Sequence, residues 1–168
     1  MASPTFTDAI ALLKADHRKV EDLFDQFEEA RPGSRQKIAE QICAELKIHT
    51  MLEEEIFYPA LQGKIEEETW TEAFVEHDGA KVLINDIVAG SPDDTFYAAK
   101  VKVLGEEIRH HVQEEERRQE GMFAQARAAG VDLVELRDRM LARKAELTRQ
   151  ARDSGLPPAE VRVLQLAP

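Results

Sequence analysis

The amino-acid sequence predicts an all-α fold, an up-down-up-down four-helix bundle with an additional C-terminal helix. Apolar residues recur at spacings of three and four along almost the whole chain of 168 residues, and no segment alternates convincingly between apolar and polar. The interruptions between helical segments are short, which makes consecutive helices antiparallel. With 43% hydrophobic and 33% charged residues, the composition fits one globular domain. We expect the bundle and the C-terminal helix to occupy residues 1–152, and residues 153–168 to form a flexible tail.

The first two helices are separated by the sequence Arg-Pro-Gly-Ser at positions 31–34. Pro32 disfavours a helical conformation in the residue before it, and Ser34 is predicted to cap the second helix. The first helix is expected to begin near Thr7–Asp8 and the second to end near Gln62–Gly63. Their apolar stripes contain Ile10, Leu13, Val20, Phe24 and Phe27 in the first helix, and Ile38, Ile42, Leu46, Ile56 and Ala60 in the second.

Three further helices are predicted in the second half of the chain. The third runs from about Glu66 to Ala89, and the break at residues 90–94 precedes a long fourth helix that reaches Gly130. A fifth helix is expected from Asp132, as its cap, to about Arg152. The third stripe contains Trp70, Phe74, Ile84 and Val88, and the fourth contains Tyr97, Val101, Leu104, Ile108 and Met122.

The charge balance narrows the classes of partner. The chain has 33 acidic and 22 basic residues, a formal net charge of −11, which repels phosphate backbones and anionic lipid surfaces. We therefore predict no nucleic-acid partner and no membrane partner. No apolar run approaches the roughly 20 residues that span a bilayer, and the first residues do not resemble a secretory signal. The single cysteine, Cys43, suits a reducing compartment, and a cytoplasmic location is expected.

Histidine interrupts the apolar stripe of each of the four bundle helices, and two of these histidines are followed, four residues later, by a glutamate that also lies on the stripe. A residue four positions along a helix lies one turn away on nearly the same face, so each pair points inward together. The residues concerned are His17, His49 with Glu53, His77, and His111 with Glu115.

Two inward carboxylates predict a positive charge between them. Burying a carboxylate in an apolar bundle is costly unless it is paired with a cation or a metal ion. Nitrogen and oxygen ligands without a thiolate suit iron, manganese or zinc, and bundle cores can hold carboxylate-bridged metal pairs. The alternative is a metal-free bundle in which hydrogen bonds satisfy the histidines, and it stays open at this point.

Four short motifs, in order on the four helices, resemble the hemerythrin-like (HHE) cation-binding domain family. They are Asp-His-Arg at 16–18, His49 to Glu53 followed by Glu-Glu-Ile-Phe-Tyr-Pro, Glu-His-Asp at 76–78, and His111 to Glu115, and the resemblance covers about residues 8–128. It implies two non-haem iron ions with an oxo or hydroxo bridge and an open position. Glu53 and Glu115 would bridge the irons. His17 and His49 would bind one iron, and His77 and His111 the other.

The third helix departs from the family pattern. Lys81 stands one turn after His77, where hemerythrins carry a second histidine, so one iron is expected to lack a nitrogen ligand. This predicts that the diferrous form oxidises promptly in air and does not carry oxygen reversibly. Lys81 is expected either to extend out of the helix seam or to bend inward and supply a proton.

Other polar residues near the motifs are assigned to packing or to solvated faces. The phase of the second helix places Tyr58 off the ligand face, so packing is its expected role. His110 and the glutamates at 66–68 and 114–116, apart from Glu115, are expected to face solvent, and Glu21 to be a surface charge or a contact of a ligand.

Three functions are compatible with these patterns. The first is a binding protein that senses or handles O2, NO or peroxide in the cytosol. The second is an enzyme that uses the same centre for peroxide decomposition or NO reduction. The third is a structural or interaction bundle without metal. No sequence pattern indicates a protein partner.

Overall fold

A computed structural model describes residues 5–168, and within them the fold is helical with no strand. The elements in chain order are α1 (Ala9–Glu29), α2 (Pro32–Leu52), a π-helical turn (Glu53–Phe57), α3 (Tyr58–Leu61), α4 (Glu67–Ala89), α5 (Tyr97–Glu116), α6 (Met122–Ala128) and α7 (Leu133–Asp153). Helices α1, α2, α4 and α5 pack in a ring in that order, and α7 lies against α1 and α2. The predicted bundle with an additional C-terminal helix is confirmed.

Two helices, α1 and α7, begin at the capping residue that the sequence predicts. Asp8 caps α1 by accepting a hydrogen bond from the Ala11 N–H at 2.9 Å, and Asp132 caps α7 in the same way through the Glu135 N–H. The predicted cap at Ser34 is wrong, because α2 already begins at Pro32. Proline suits the first helical position because its fixed φ is helical and its missing N–H has no partner there.

The predicted long fourth helix is divided in two. Helix α5 ends at Glu116, the chain turns through residues 117–121, and the short helix α6 follows. Gly121 permits the turn, because a Cβ there would lie 2.5 Å from the Arg117 carbonyl oxygen. Met122 is buried as predicted, but it lies on α6 and does not extend the stripe of α5. The turn brings Phe123 onto His17, with the rings stacked at 5.8 Å between centroids.

The core consists of two apolar clusters with polar residues between them. One cluster joins the start of α1 to the π-helical turn, α6 and α7, and the other joins the end of α1 to α2, α4 and α5. Val88, predicted to face the core, is 52% exposed, and Ile87 is buried in its place because the phase of α4 follows Ala80 and Ile84.

The segment after α7 carries no helix but contacts the bundle. Backbone N–H groups of Arg162, Val163 and Leu164 donate to Asp78, and Asn85 exchanges two hydrogen bonds with Ala159. The flexibility predicted for residues 153–168 stays a prediction, which hydrogen exchange at these amides would measure.

Candidate metal centre

The six residues predicted from the sequence converge at one place between the two apolar clusters. All six are at most 5% exposed. They form two histidine pairs, in which the Nε2 atoms of His17 and His49 lie 3.2 Å apart and those of His77 and His111 lie 3.1 Å apart. The pairing across helices is the one that the family resemblance implies.

Each inward carboxylate contacts one histidine of each pair. Glu53 Oε2 lies 3.3 Å from His49 Nε2 and 3.1 Å from His77 Nε2. Glu115 reaches His17 Nε2 with Oε2 and His111 Nε2 with Oε1, at 3.3 Å in both cases. The donor atoms fall into two groups that share Glu53: the His17–His49 pair with both glutamates, and the His77–His111 pair with Glu53. This is an arrangement in which two carboxylates lie between two metal positions.

Each of the four inward histidines has a further carboxylate facing its outer nitrogen, Nδ1. His17 Nδ1 lies 2.7 Å from Glu116, and His77 Nδ1 lies 2.9 Å from Glu54. His111 Nδ1 is hydrogen-bonded to Glu76, and His49 Nδ1 faces Asp16 at 3.6 Å, an ion-pair distance that is too long for a hydrogen bond. A proton on Nδ1 that points to a carboxylate leaves the lone pair of Nε2 directed at the centre.

These four outer carboxylates follow a regular pattern that helical periodicity does not predict. Asp16, Glu54, Glu76 and Glu116 each stand next to an inward residue on their own helix, and each reaches a histidine on a neighbouring helix. A side chain about 100° around the helix from a ligand points toward the neighbouring helix. The expectation that Glu116 is an ordinary solvated residue is therefore wrong. Glu21 contacts Arg18 and not His17.

Tyr58 enters the centre, contrary to the sequence prediction. Its hydroxyl lies 2.7 Å from Glu115 Oε1, 3.2 Å from Glu53 Oε2 and 3.1 Å from His77 Nε2. In a regular α-helix a residue five positions after Glu53 points about 140° away from it. The π-helical turn closes an i to i−5 hydrogen bond from the Tyr58 N–H to the Glu53 carbonyl, and the extra residue in that turn rotates Tyr58 onto the ligand face.

Lys81 neither extends out of the seam nor points at the centre. It is 3% exposed, and its Nζ lies 2.7 Å from Glu54 Oε1 and 2.8 Å from the carbonyl oxygen of Glu160. Glu54 Oε2 lies at 2.8 Å and an Asp78 oxygen at 3.4 Å. The ammonium is therefore engaged behind His77, and the predicted role as a proton donor to the centre is wrong.

The donor atoms at the centre require positive charge. Four Nε2 atoms and the carboxylates face one another, and Glu53 Oε1 and Glu115 Oε2 are buried without a hydrogen-bond partner. Burial alone lowers the pKa of His49, but the neighbouring Glu53 and Asp16 raise that pKa to about 10. Burial and Glu115 raise the pKa of Glu53, but His49 and His77 lower it to about 2. Among the protein groups alone, protons supply the charge, and metal ions bound to the same atoms displace them.

Two cavities are lined in part by residues of the centre. One of about 160 Å³ is rich in glutamate, and its lining includes Glu72, Glu76, His111 and Glu115. The other, of about 460 Å³, lies between α4 and α5 and has a mainly apolar lining that includes Ile108, His77 and His111. The His77–His111 pair therefore borders cavities that open at the protein surface. His110, by contrast, is 64% exposed.

The comparison with known proteins identifies the class. The family model "Hemerythrin HHE cation binding domain" matches residues 8–126, and the chain belongs to this family. A hemerythrin HHE cation-binding domain-containing protein from Mycobacterium kansasii has a similar solved structure. Its TM-score is 0.75 at 22% sequence identity, over 90% of this chain and 96% of that one.

A characterised relative is much longer than this chain. It is named "DNA nickase" and comes from Nostoc sp. (strain PCC 7120 / SAG 25.82 / UTEX 2576). The two are 30% identical over 106 residues, which is 62% of this chain and 30% of the relative. The match therefore covers only a part of that protein.

No helix within residues 5–168 combines the length and apolarity needed to cross a membrane.

Proposed function

We propose that the protein binds two non-haem iron ions and uses them to sense or handle O2, NO or peroxide. The observation that supports this most directly is the position of Glu53 and Glu115. Each of these glutamates contacts one histidine from each of the two pairs. Their carboxylates would bridge the two ions. A nitrogen and oxygen donor set without thiolate suits iron, and bundle cores of this type hold carboxylate-bridged metal pairs.

The terminal ligands would be His17 and His49 on one ion and His77 and His111 on the other. The Tyr58 oxygen faces the second pair, 3.1 Å from His77 Nε2 and 3.4 Å from His111 Nε2. The outer carboxylates hold each imidazole in the orientation that presents Nε2 to the centre. A di-iron pair supplies one-electron changes at each ion, which is the chemistry that O2, NO and peroxide require.

The residues of this chain provide a cavity beside the centre, a buried site and a proton. The apolar cavity between α4 and α5 admits small uncharged molecules, which fits a diatomic gas or hydrogen peroxide as the partner. The Tyr58 hydroxyl carries a proton, and its oxygen lies 2.7 Å from Glu115 Oε1 in a fully buried site. That proton favours peroxide decomposition or NO reduction as the second candidate, since NO reduction consumes protons and peroxide decomposition transfers protons between the peroxide oxygens.

Nucleic acid is not part of this proposal. The formal net charge of −11 opposes binding to a phosphate backbone, although a longer relative is named a DNA nickase. Incubation of iron-loaded protein with supercoiled plasmid tests this exclusion of nucleic acid, and nicking that depends on Glu53 would overturn it.

We also propose a cytoplasmic location, because the only cysteine, Cys43, is buried and free.

Metal analysis tests the proposal. Fe(II) is added without air to metal-free protein, excess metal is removed, and iron per chain is counted together with an optical spectrum after oxidation. We expect about two irons per chain, and fewer in Glu53→Gln. A Glu28→Gln variant on the exposed surface of α1 is the matched control and should retain both. No tightly bound iron would support the metal-free structural bundle.

Mixing the diferrous protein with O2 separates transport from the proposed roles. Because the His77–His111 pair has two histidines and not three, we expect prompt oxidation to the diferric state. Catalytic consumption of hydrogen peroxide beyond two equivalents would then favour the enzyme, and stoichiometric oxidation the sensor. O2 that binds and leaves again on repeated degassing would contradict both.

A further inference from the structure

The C-terminal strap, defined as residues 157–164, lies along α4 beside the candidate centre. Two side chains of α4, Asn85 and Asp78, hold its backbone by several hydrogen bonds each. Asn85 Nδ2 donates to the Ala159 carbonyl at 2.9 Å, and the Ala159 N–H donates back to Asn85 Oδ1 at 2.8 Å. The N–H groups of Arg162, Val163 and Leu164 donate to the Asp78 carboxylate at 2.6–3.0 Å. Three donors on one buried carboxylate fix the strap at the residue that follows His77.

The strap also reaches the carboxylate that supports His77. The Arg162 guanidinium lies 2.9 Å from Glu54 Oε2, and the carbonyl of Glu160 accepts a hydrogen bond from buried Lys81 at 2.8 Å. Lys81 in turn contacts both Glu54 oxygens, at 2.7 and 2.8 Å. Glu54 is 4% exposed, and Lys81, His77 and Arg162 are the groups that surround its charge.

This network serves only one of the two histidine pairs. Glu54 Oε1 is 2.9 Å from His77 Nδ1, so Arg162, Glu54 and His77 form a continuous chain of contacts from the strap to the centre. The carboxylates behind His17 and His49 have other cationic partners, Arg18 for Glu116 and Lys144 for Asp16. Those partners belong to α1 and α7 and do not contact the strap.

We propose that the strap is a positioning element of the metal centre, in which Arg162 holds Glu54 so that His77 keeps its Nε2 directed at the second metal position. The inference rests on the proposed metal centre. Loss of Arg162 leaves Glu54 free to turn toward Lys81 alone, and the His77 ring loses part of its orientation. The His77–His111 half of the centre weakens, and the His17–His49 half does not. Loss of such an outer contact to a ligand typically weakens metal binding by about 10–100-fold.

The test compares Arg162→Ala with Arg162→Lys and with the control Arg152→Ala. Arg152 is 71% exposed and contacts only the adjacent Asp153, so its removal leaves the strap in place. Co(II) is titrated without air into metal-free protein of each variant, followed by calorimetry and visible absorption. We expect the weaker of two Co(II) binding steps to lose about 10–100-fold affinity in Arg162→Ala. Arg162→Lys should recover most of it, and Arg152→Ala should match the wild type.

A second readout needs no metal. The ring nitrogen signals of His77 in 15N NMR spectra of the metal-free protein should shift or broaden in Arg162→Ala, and those of His17 should not. If the wild type binds no Co(II), the proposed metal centre fails, and these ring signals alone decide whether Arg162 positions His77. Unchanged His77 signals overturn the inference. So does an equal loss at both Co(II) steps with a lower melting temperature, since that would make the strap a general stabilising element.

Discussion

Removal of one hydroxyl group, in Tyr58→Phe, tests whether the π-helical turn delivers a hydrogen bond to the centre. Tyr58 has a single O–H proton, and the shortest of its contacts is the 2.7 Å distance to Glu115 Oε1, so we assign the donation to that carboxylate. Both partners are buried, Tyr58 at 0% and Glu115 at 1% exposed. A hydrogen bond to a charged acceptor contributes about 1.5–3 kcal/mol, and its loss leaves a buried carboxylate oxygen with one partner fewer.

The expected effect is a shift in unfolding of the metal-free protein. For a domain of this size, 1 kcal/mol corresponds to about 2–4 °C in melting temperature, so Tyr58→Phe should lower it by roughly 3–12 °C. Urea unfolding at neutral pH should show a lower midpoint with an unchanged slope. The benzene ring stays in place against Phe74 and Phe57, so no large cavity contributes to the difference.

Tyr97→Phe is the matched control. Tyr97 is 4% exposed and packs in the other apolar cluster, away from the two glutamates. Its hydroxyl makes no hydrogen bond to another group in residues 5–168, so its loss should change the unfolding free energy by less than about 0.5 kcal/mol. If Tyr58→Phe is as stable as Tyr97→Phe, the hydroxyl of Tyr58 is not held by Glu115, and the role assigned to the π-helical turn is refuted.

Three further predictions concern separate parts of the molecule. His111→Ala should release one metal ion per chain, whereas His110→Ala should retain both, and metal analysis measures this. The reverse result would move the ligand assignment on α5 by one residue. Asp8→Ala should cost about 1 kcal/mol in urea unfolding because the α1 cap is lost, and Asp8→Asn should cost less. Burial raises the pKa of Asp8, but the Ala11 N–H and Arg127 lower it below its ordinary value. Its stabilisation is therefore complete above the unfolded pKa of about 3.9 and disappears as the pH falls through the folded pKa, and an equal cost of Asp8→Ala across that range would contradict this. Burial raises the pKa of Cys43 to about 12, so at pH 8 only about one thiol in 10,000 is ionised, and alkylation should be fast in urea and slow in the native protein.

The fold class and the six inward residues were predictable because they depend on helical periodicity. A residue in phase with an apolar stripe faces the core whatever its neighbours are. Helical phase alone therefore predicts that the side chains of His17, His49, His77 and His111 face the core. The same holds for Glu53 and Glu115, one turn from their histidines on a regular helix. Polar residues at core positions on four helices also carried the family resemblance, which the family match confirms.

The tertiary structure decided everything that depends on contact between helices or on an irregular turn. Asp16, Glu54, Glu76 and Glu116 are out of phase with the stripes, and only the packing of each helix against its neighbour brings them to a histidine. Tyr58 faces the centre because the π-helical turn adds one residue to the helical turn, a change of phase that a regular period does not contain.

The strap shows the same limit at longer range. Its hydrogen bonds to Asn85, Asp78 and Lys81 join residues 74–86 positions apart, and they come largely from backbone groups that every sequence possesses. Periodicity reports which face of a helix is buried, since burial follows from the side chains of that helix alone. It does not report which chain segment covers a polar residue such as Asp78, because that choice depends on the whole arrangement of the bundle.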